Sequence, residues 1–468
     1  MVVGEVAESL DLLVIGGGPG GYAAALHGAR LGRAVTLIEK ENLGGVCLNV
    51  GCIPSKTLLE VADAAALPGR VADWGVAATT SIDMAQVQNH LQQVVSDLTG
   101  GVAQLLSQAG VQVVSGTARF SRPNRVAVEH GDSLSHFEFA DVIVATGSRP
   151  IDLPDLPVDG QRVVGSAELL FSSELPENLV LVGGGYIGVE LATAFAKLGS
   201  HVTIVEAEKQ LLTGFDKRVA RLVARGLEKL GVTLLLNHRA QKLESEGLLV
   251  AGPEGSVALP ADKICVVVGR RPNSDTVGLR EAGVLINSQG LVAVDAQRRA
   301  ADHIFVIGDL TEGPALAHKA TAEAEVAAEV ACGGAEVFDP TVIPMIVFSD
   351  PQVLSVGVDP SQAKTQELES FRFPFAASGR ARTMGDTEGY VSVVADGAGT
   401  VVGVHAVGSH VAELAGEAVL AIEMAATVED LARTIHAHPT LGESFMEAAL
   451  GLAGRPVHVS RVSKNEKS

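Results

Sequence analysis

Apolar and polar positions single out two stretches of the chain that read alike. Residues 12–15 and 180–182 are unbroken apolar runs, the pattern of parallel strands buried on both faces. Each run leads into a cluster of glycines and then an Ala-rich stretch with helical spacing. The helical stretches stop at Leu31-Gly32 and Leu198-Gly199, and a second apolar run follows, ending in an acid. Glycine just past the last periodic residue is a helix stop. The pattern predicts strand, glycine turn, helix, strand, twice over. A further long helix is expected over 84–109.

The two stretches align without a gap. Residues 12–39, "LLVIGGGPGGYAAALHGARLGRAVTLIE", match residues 179–206, "LVLVGGGYIGVELATAFAKLGSHVTIVE", at a constant offset of 167. Gly16, Gly18 and Gly21 correspond to Gly183, Gly185 and Gly188, and Glu39 to Glu206. In a unit of this kind the first glycine makes a tight turn, the second lets backbone approach a pyrophosphate, and the third lets helix and strand pack closely. The helix N-terminus offers free N–H groups to the phosphates. The terminal acid accepts hydrogen bonds from a ribose. One such glycine cluster is weak evidence; two complete units at one spacing are strong, and they predict two dinucleotide sites. The unit at 179–206 also explains the longest apolar stretch without a membrane span, since Glu190 and the glycines interrupt it.

The repeat continues with a change of spacing. "DVIVATGSRP" at 141–150 resembles "KICVVVGRRP" at 263–272, with Gly147 opposite Gly269 at an offset of 122, so the first copy is 45 residues longer than the second. The extra sequence begins after Glu39 and opens with "GGVCLNVGCIPSK" at 44–56, which holds two of the four cysteines.

Size and composition bound the rest. A chain of 468 residues suggests about three domains. Abundant glycine (52 residues) and scarce aromatics (4%) suit tightly turned α/β units. A formal net charge of -20 argues against nucleic acid as a partner and suits a basic protein segment. The start of the chain has no basic or Arg-rich leader pattern, and strand-like sequence begins by residue 11. Four unevenly spread cysteines do not make a disulfide framework, so a reducing compartment, the cytoplasm, is expected.

Two dinucleotide sites point to electron transfer between a flavin and a nicotinamide. Glu206 suits a ribose 2′-hydroxyl and repels a 2′-phosphate, which favours NAD over NADP. The cysteine pair has several readings. Free cysteines often pack in cores. Zinc needs four ligands, and there is no second pair. Residues five apart in a regular helix are separated by about 7.5 Å of rise, beyond the usual ~4.4–6.8 Å between bridged Cα atoms. A Cys47–Cys52 bond therefore has to distort a helix or sit at its start, as Asn49 and Gly51 would permit. Such a strained small loop suits exchange rather than structure.

"GGVCLNVGCIPSK" resembles the redox motif of the flavin-dependent pyridine nucleotide-disulfide oxidoreductases, and "CLNVGCIPSK" is most similar to the members that oxidise dihydrolipoamide. "GGGPGGY", "ATGSRP", "GGGYIGVE", "GRRPN", "VIGDL" and "HAHPTLGE" extend the resemblance over essentially the whole chain. It implies an α/β architecture of two Rossmann-like domains plus an α+β C-terminal dimerisation domain. The expected divisions are 1–150 for FAD with the redox insertion, 151–273 for NAD, 274–340 as a central domain completing the FAD site, and 341–468 as the interface domain. By resemblance, Gly16, Gly18, Gly21, Glu39, Thr146, Gly147 and Asp309 hold FAD, and Gly183, Gly185, Gly188, Glu206 and Gly269 hold NAD. Cys47 resembles the interchange thiol and Cys52 the thiol against the flavin. Lys56 would lie beside the flavin, paired with Glu190, and Tyr186 beside the nicotinamide.

The resemblance also makes His438 the base and Glu443 its orienting carboxylate, acting on the cysteines of the other subunit. The active form implied is a homodimer. A thiol with a pKa of about 8.5 is only a few per cent thiolate at neutral pH, so a nearby imidazole is needed to take the first proton. His436 is the nearest competitor, but the family base directly precedes proline. Val46 and Gly442 depart from the usual Thr and Ser. The partners implied are lipoyl domains and the acyltransferase core of 2-oxo acid dehydrogenase complexes. A sister reductase for glutathione or mercuric ion, or a catalytically silent flavoprotein, are the alternatives. Glu206 and the lack of cysteines after Cys332 disfavour the first, and the intact set Cys47, Cys52, Lys56, His438 and Glu443 disfavours the second. Cys265 and Cys332 read as packing residues.

Overall fold

The computed structural model describes residues 7–362 and 367–460. The first repeat unit forms β1 (Glu8–Ile15), α1 (Pro19–Arg30) and β2 (Val35–Glu39). β1 lies parallel between β2 and the strand Ser133–Val144, and β3 (Gln112–Ser115) continues the sheet beyond β2. Leu12, Leu13 and Val14 are fully buried, as an apolar run covered on both faces requires. The Ala-rich face of α1 packs on the helix Ala317–Ala331, where Ala24 and Ala25 meet Ala324, Ala327 and Ala328 in one buried cluster. Small side chains on both helices allow that close approach. The strand Ile304–Val306 joins the same sheet beside Ser133–Val144, so sequence that follows the second unit returns to complete the first.

The second unit builds a separate parallel sheet from Asn178–Val182, His201–Glu206, Thr233–Leu236, Lys263–Val266 and Val163–Val164. The longest apolar stretch of the sequence is the strand Asn178–Val182 and the buried helix Tyr186–Leu198. Among the described residues no helix is long and apolar enough to cross a membrane. The two copies differ between their second and third strands. In the second copy the helix Lys217–Lys229 fills that link. In the first it is filled by α2 (Gly45–Val50), α3 (Cys52–Val71) and α4 (Met84–Gln108). The copies meet where Ser148–Pro150 pairs antiparallel with Arg270–Pro272, Ser148 opposite Pro272.

The C-terminal part is a five-stranded antiparallel sheet with helices Ala415–Glu423 and Glu443–Leu452 packed in its core cluster. Leu420, Met424 and Ile435 stand 62%, 72% and 96% exposed on this part, an apolar set for a covering partner.

Candidate active site

The two glycine turns are built alike. Gly16 and Gly183 have φ of +101° and +119°, which side-chain-bearing residues rarely adopt. A Cβ on Gly21 would lie 1.7 Å from the Gly16 carbonyl oxygen, and one on Gly188 would lie 2.0 Å from that of Gly183. The middle glycines differ from these. The nearest atom to a Cβ on Gly18 is 3.9 Å away, and nothing lies within 4 Å of one on Gly185. Both are N-caps with no side chain capping the helix, so the helix N–H groups face open space.

The terminal acids repeat the symmetry. Glu39 accepts from the N–H groups of Gly17 (2.5 Å) and Glu41 (2.7 Å), and Glu206 from those of Gly184 (2.6 Å) and Glu208 (2.7 Å). Two backbone donors orient each carboxylate and leave lone pairs for ribose hydroxyls.

A cavity of about 740 Å³ extends from the first glycine turn to the cysteines. Of the expected flavin residues, Gly16, Gly18, Glu39, Lys56, Thr146, Gly147 and Asp309 line it, as do Cys47, Cys52, Tyr186 and Glu190. Gly21 packs behind it. Gly183, Gly185, Gly188, Glu206 and Gly269 lie outside it, on the second cradle. Tyr186 and Glu190 are how the second unit reaches the first site. Burial raises the Tyr186 phenol pKa above its ordinary value.

Two features show that the cavity suits a polar ligand. Thr146 Oγ1 is buried without a hydrogen-bond partner. Asp309 is oriented by a chain of contacts: Ser148 Oγ donates to Asp309 Oδ2 at 2.6 Å, and Arg270 Nε donates to Ser148 Oγ at 2.9 Å. Sequence reasoning missed Ser148 and Arg270, although both lie in the aligned motifs "ATGSRP" and "GRRP". It also missed what holds the turn carrying Asp309. Lys319 Nζ donates to the Gly308 carbonyl (3.1 Å) and Thr311 Oγ1 (2.8 Å), while Glu323 accepts from Gly308 N–H (2.7 Å). Lys319 and Glu323 are paired at 3.0 Å and almost wholly buried, and Arg298 also reaches Glu323. Their i,i+4 spacing pairs them on one helix face, but nothing in the local sequence marks them as buried.

The cysteines sit on two helices broken between them. Cys47 is on α2 and Cys52 opens α3, with Gly51 (φ -134°, ψ -112°) at the break. A Cβ on Gly51 would lie 2.8 Å from the Val46 carbonyl oxygen, so any other residue here would force the backbone to shift. The expected distortion is thus an interruption that brings together residues five apart. The structure holds both as thiols, hydrogen-bonded to each other. That hydrogen bond and burial push Cys47 up. The Cys47 hydrogen bond, with Lys56 one turn further along, lowers Cys52 to about 7 against the opposing effect of burial. These directions favour the thiolate on Cys52 over one on Cys47.

Lys56 Nζ lies 2.7 Å from Glu190 Oε2 and 4.8 Å from the centroid of the Phe348 ring. Glu190 Oε1 accepts from the Phe348 N–H at 3.0 Å.

His438 Nδ1 lies 2.8 Å from Glu443 Oε1, and Glu443 Oε2 accepts from the Thr440 N–H at 2.8 Å. Burial opposes ionisation of Glu443, but these two donors hold its pKa below the ordinary value. The His438 ring is 78% exposed, whereas His436 is buried against Glu417 at 2.7 Å, and that contact raises its pKa. Neither His438 nor Glu443 lines the cavity of its own chain. Gly442 caps the last helix in ordinary helical geometry, and a Cβ there would lie 3.3 Å from His436 Cδ2. Val46 is exposed. Cys265 is fully buried in a strand and Cys332 ends the helix Ala317–Ala331; burial raises both thiols.

The pyridine nucleotide-disulphide oxidoreductase family model matches residues 10–324, and the family's dimerisation domain matches 343–449. The chain belongs to the pyridine nucleotide-disulphide oxidoreductase family. It is an NAD-dependent flavoprotein oxidoreductase, and its cofactors are FAD and NAD. The two glycine cradles, the paired carboxylates and the unpartnered Thr146 hydroxyl fit those cofactors. The chain is 44% identical to a dihydrolipoyl dehydrogenase of Geobacillus stearothermophilus, over 98% of this chain and 99% of that one. It is 43% identical to one of Haloferax volcanii, again over 98% and 99%. Among solved structures it resembles LpdA from Mycobacterium tuberculosis (TM-score 0.88, 28% identity, 95% and 100% of the two chains). It also resembles the HOCl-induced flavoprotein disulfide reductase RclA from Escherichia coli (TM-score 0.83, 28% identity, 94% and 99%).

Proposed function

We propose that this oxidoreductase is a homodimer that oxidises protein-bound dihydrolipoamide and reduces NAD. The observation that carries the reading is the cysteine pair. Two free cysteines sit across a helix break, lining one cavity with the Lys56–Glu190 pair, in a chain 44% identical to a dihydrolipoyl dehydrogenase over nearly its whole length.

The chain's own residues divide the work. His438 of one subunit takes a proton from the first substrate thiol through Nε2, while Glu443 holds Nδ1–H and so fixes the tautomer. The substrate thiolate attacks Cys47 of the oxidised pair, forming a mixed disulfide and releasing Cys52 as thiolate. The second substrate thiol then displaces Cys47, so the substrate leaves as cyclic disulfide and both cysteines are reduced. Lys56 stabilises the Cys52 thiolate, and Glu190 and Phe348 hold Lys56 in place. Bound FAD would supply the two-electron redox chemistry that links the reduced cysteines to NAD. Gly16, Gly18, Gly21, Glu39, Thr146, Gly147 and Asp309 would hold the flavin. Gly183, Gly185, Gly188, Glu206 and Gly269 would hold the nicotinamide dinucleotide, with Tyr186 beside the nicotinamide.

The divisions 1–150, 151–273, 274–340 and 341–468 go with this reading, supported by the return of residues 299–306 to the first sheet. So do a cytoplasmic setting, lipoyl domains as substrate carriers, and docking to the acyltransferase core of a 2-oxo acid dehydrogenase complex. The net charge of -20 suits a basic docking segment.

The test is a paired assay of the purified holoenzyme, dihydrolipoamide with NAD against glutathione disulfide with NADH or NADPH. Turnover confined to the first pair is the expected result. Faster turnover of glutathione disulfide would replace this reading with that of a sister reductase.

A further inference from the structure

Two ion pairs, not one, join α3 to the helix Tyr186–Leu198. Lys56 meets Glu190, and seven residues further along both helices Asp63 meets Lys197. Seven residues are two turns, about 10.5 Å of rise. The helices therefore run side by side in one direction, and the pairs form two rungs between them. The polarity reverses from rung to rung: α3 supplies the cation in the first and the anion in the second. In each rung the side chain from Tyr186–Leu198 is the buried member, at 6% exposure.

A third segment caps both rungs. Phe348 donates its N–H to Glu190 and lays its ring near Lys56, and two residues later Asp350 Oδ2 lies 2.6 Å from Lys197 Nζ. The segment is pressed from behind. A Cβ on Gly226 would come within 2.1 Å of the Asp350 carbonyl oxygen, so the helix Lys217–Lys229 abuts it directly. Between the rungs lies a polar cavity of about 160 Å³, reached by Glu60, Thr193, His410 and Glu413.

A buried lysine held by two carboxylates is weak evidence of a stability device, because apolar side chains of similar shape often serve as well. Its attested use is to specify register. Here a slip of one helical turn would break both rungs at once. Register matters on α3 because Cys52 and Lys56 lie on it one turn apart.

We propose that Asp63, Lys197 and Asp350 are positioning residues that lock α3 in the register bringing Lys56 against Glu190 beside Cys52. The inference rests on the reading of Cys52 as the thiolate facing the flavin. The charged and titratable groups around Cys52 are Cys47, Lys56, Glu190 and Tyr186; those around Lys197 are Asp63, Asp350, Glu60, His410 and Glu413.

The test follows the thiolate-to-flavin charge-transfer absorption of the two-electron-reduced holoenzyme against pH, with thermal midpoints as a control. Absence of this band in the unmodified protein would overturn the reading of Cys52. With the band present, Lys197→Met is expected to move its titration midpoint upward by about half a pH unit or more. Asp63→Asn should move it the same way by less, and Lys197→Arg should restore it. Variants that melt earlier but titrate like the unmodified protein would make the second rung a brace only. If Lys197→Met does not fold, an unshifted midpoint in Asp63→Asn overturns the proposal alone.

Discussion

His438 Nδ1 stands 2.8 Å from Glu443 Oε1, yet neither residue lines the cavity that holds Cys47 and Cys52. With Nδ1 engaged by the carboxylate, Nε2 is left free on a ring that is 78% exposed. In the proposed reading this base serves the site of the other subunit. Dissociated and reassociated mixtures of Cys47→Ser and His438→Ala protein check this. Half the dimers formed at random are mixed, and each has one intact site. About a quarter of the unmodified activity should return from two inactive parents. No recovery in verified mixed dimers would place the base and the thiols on one chain.

The Cys47 hydrogen bond is the largest influence lowering Cys52 to about 7. Thiolate therefore accumulates as pH rises through about 7, and the charge-transfer absorption should rise with it. Cys47→Ala removes the donor and should move the midpoint upward. Cys47→Ser keeps a hydroxyl donor and should leave the midpoint closer to that of the unmodified protein, although both variants lose turnover of dihydrolipoamide. Equal midpoints in the two variants would mean that Lys56, not Cys47, governs the thiolate.

Any side chain at position 51 is strained, because a Cβ there would lie 2.8 Å from the Val46 carbonyl oxygen. Gly51→Ala should cost about 1–3 kcal/mol of stability, read from denaturant unfolding of the holoenzyme. It should also slow closure of the Cys47–Cys52 disulfide in the folded protein, measured by thiol titration after reduction. Normal closure with lowered stability would separate the helix break from the redox function.

Glu206 is held by the N–H groups of Gly184 and Glu208 at 2.6 and 2.7 Å. Glu206→Ala removes the proposed ribose acceptor and leaves the Gly184 and Glu208 donors without it. A hydrogen bond to a charged group contributes about 1.5–3 kcal/mol, so the KM for NAD should rise about tenfold to a hundredfold with a smaller change in kcat. A kcat loss at unchanged KM would assign Glu206 a role other than ribose binding.

Much of this protein was legible before any contact was known. The parallel strands, the glycine turns, the helix stops and the paired acids at Glu39 and Glu206 all follow from periodicity and from interactions within about thirty residues. That range is where steric rules and hydrogen-bond geometry act on the chain directly. The spacing of Cys47, Cys52 and Lys56 was equally local, and it required a broken helix, which Gly51 supplies. Three arrangements were decided only by tertiary packing. Ile304–Val306 joins the first sheet, because a parallel strand can be supplied from any distance along the chain. Lys319 with Glu323, and Asp63 with Lys197 and Asp350, read as ordinary charged residues of helices and turns until the fold buries them. A buried charge persists only where partners satisfy it. Lys319 and Glu323 are i,i+4 neighbours on one helix, but Arg298, Gly308 and Thr311, which complete their cluster, come from other elements, as Lys197 and Asp350 do for Asp63.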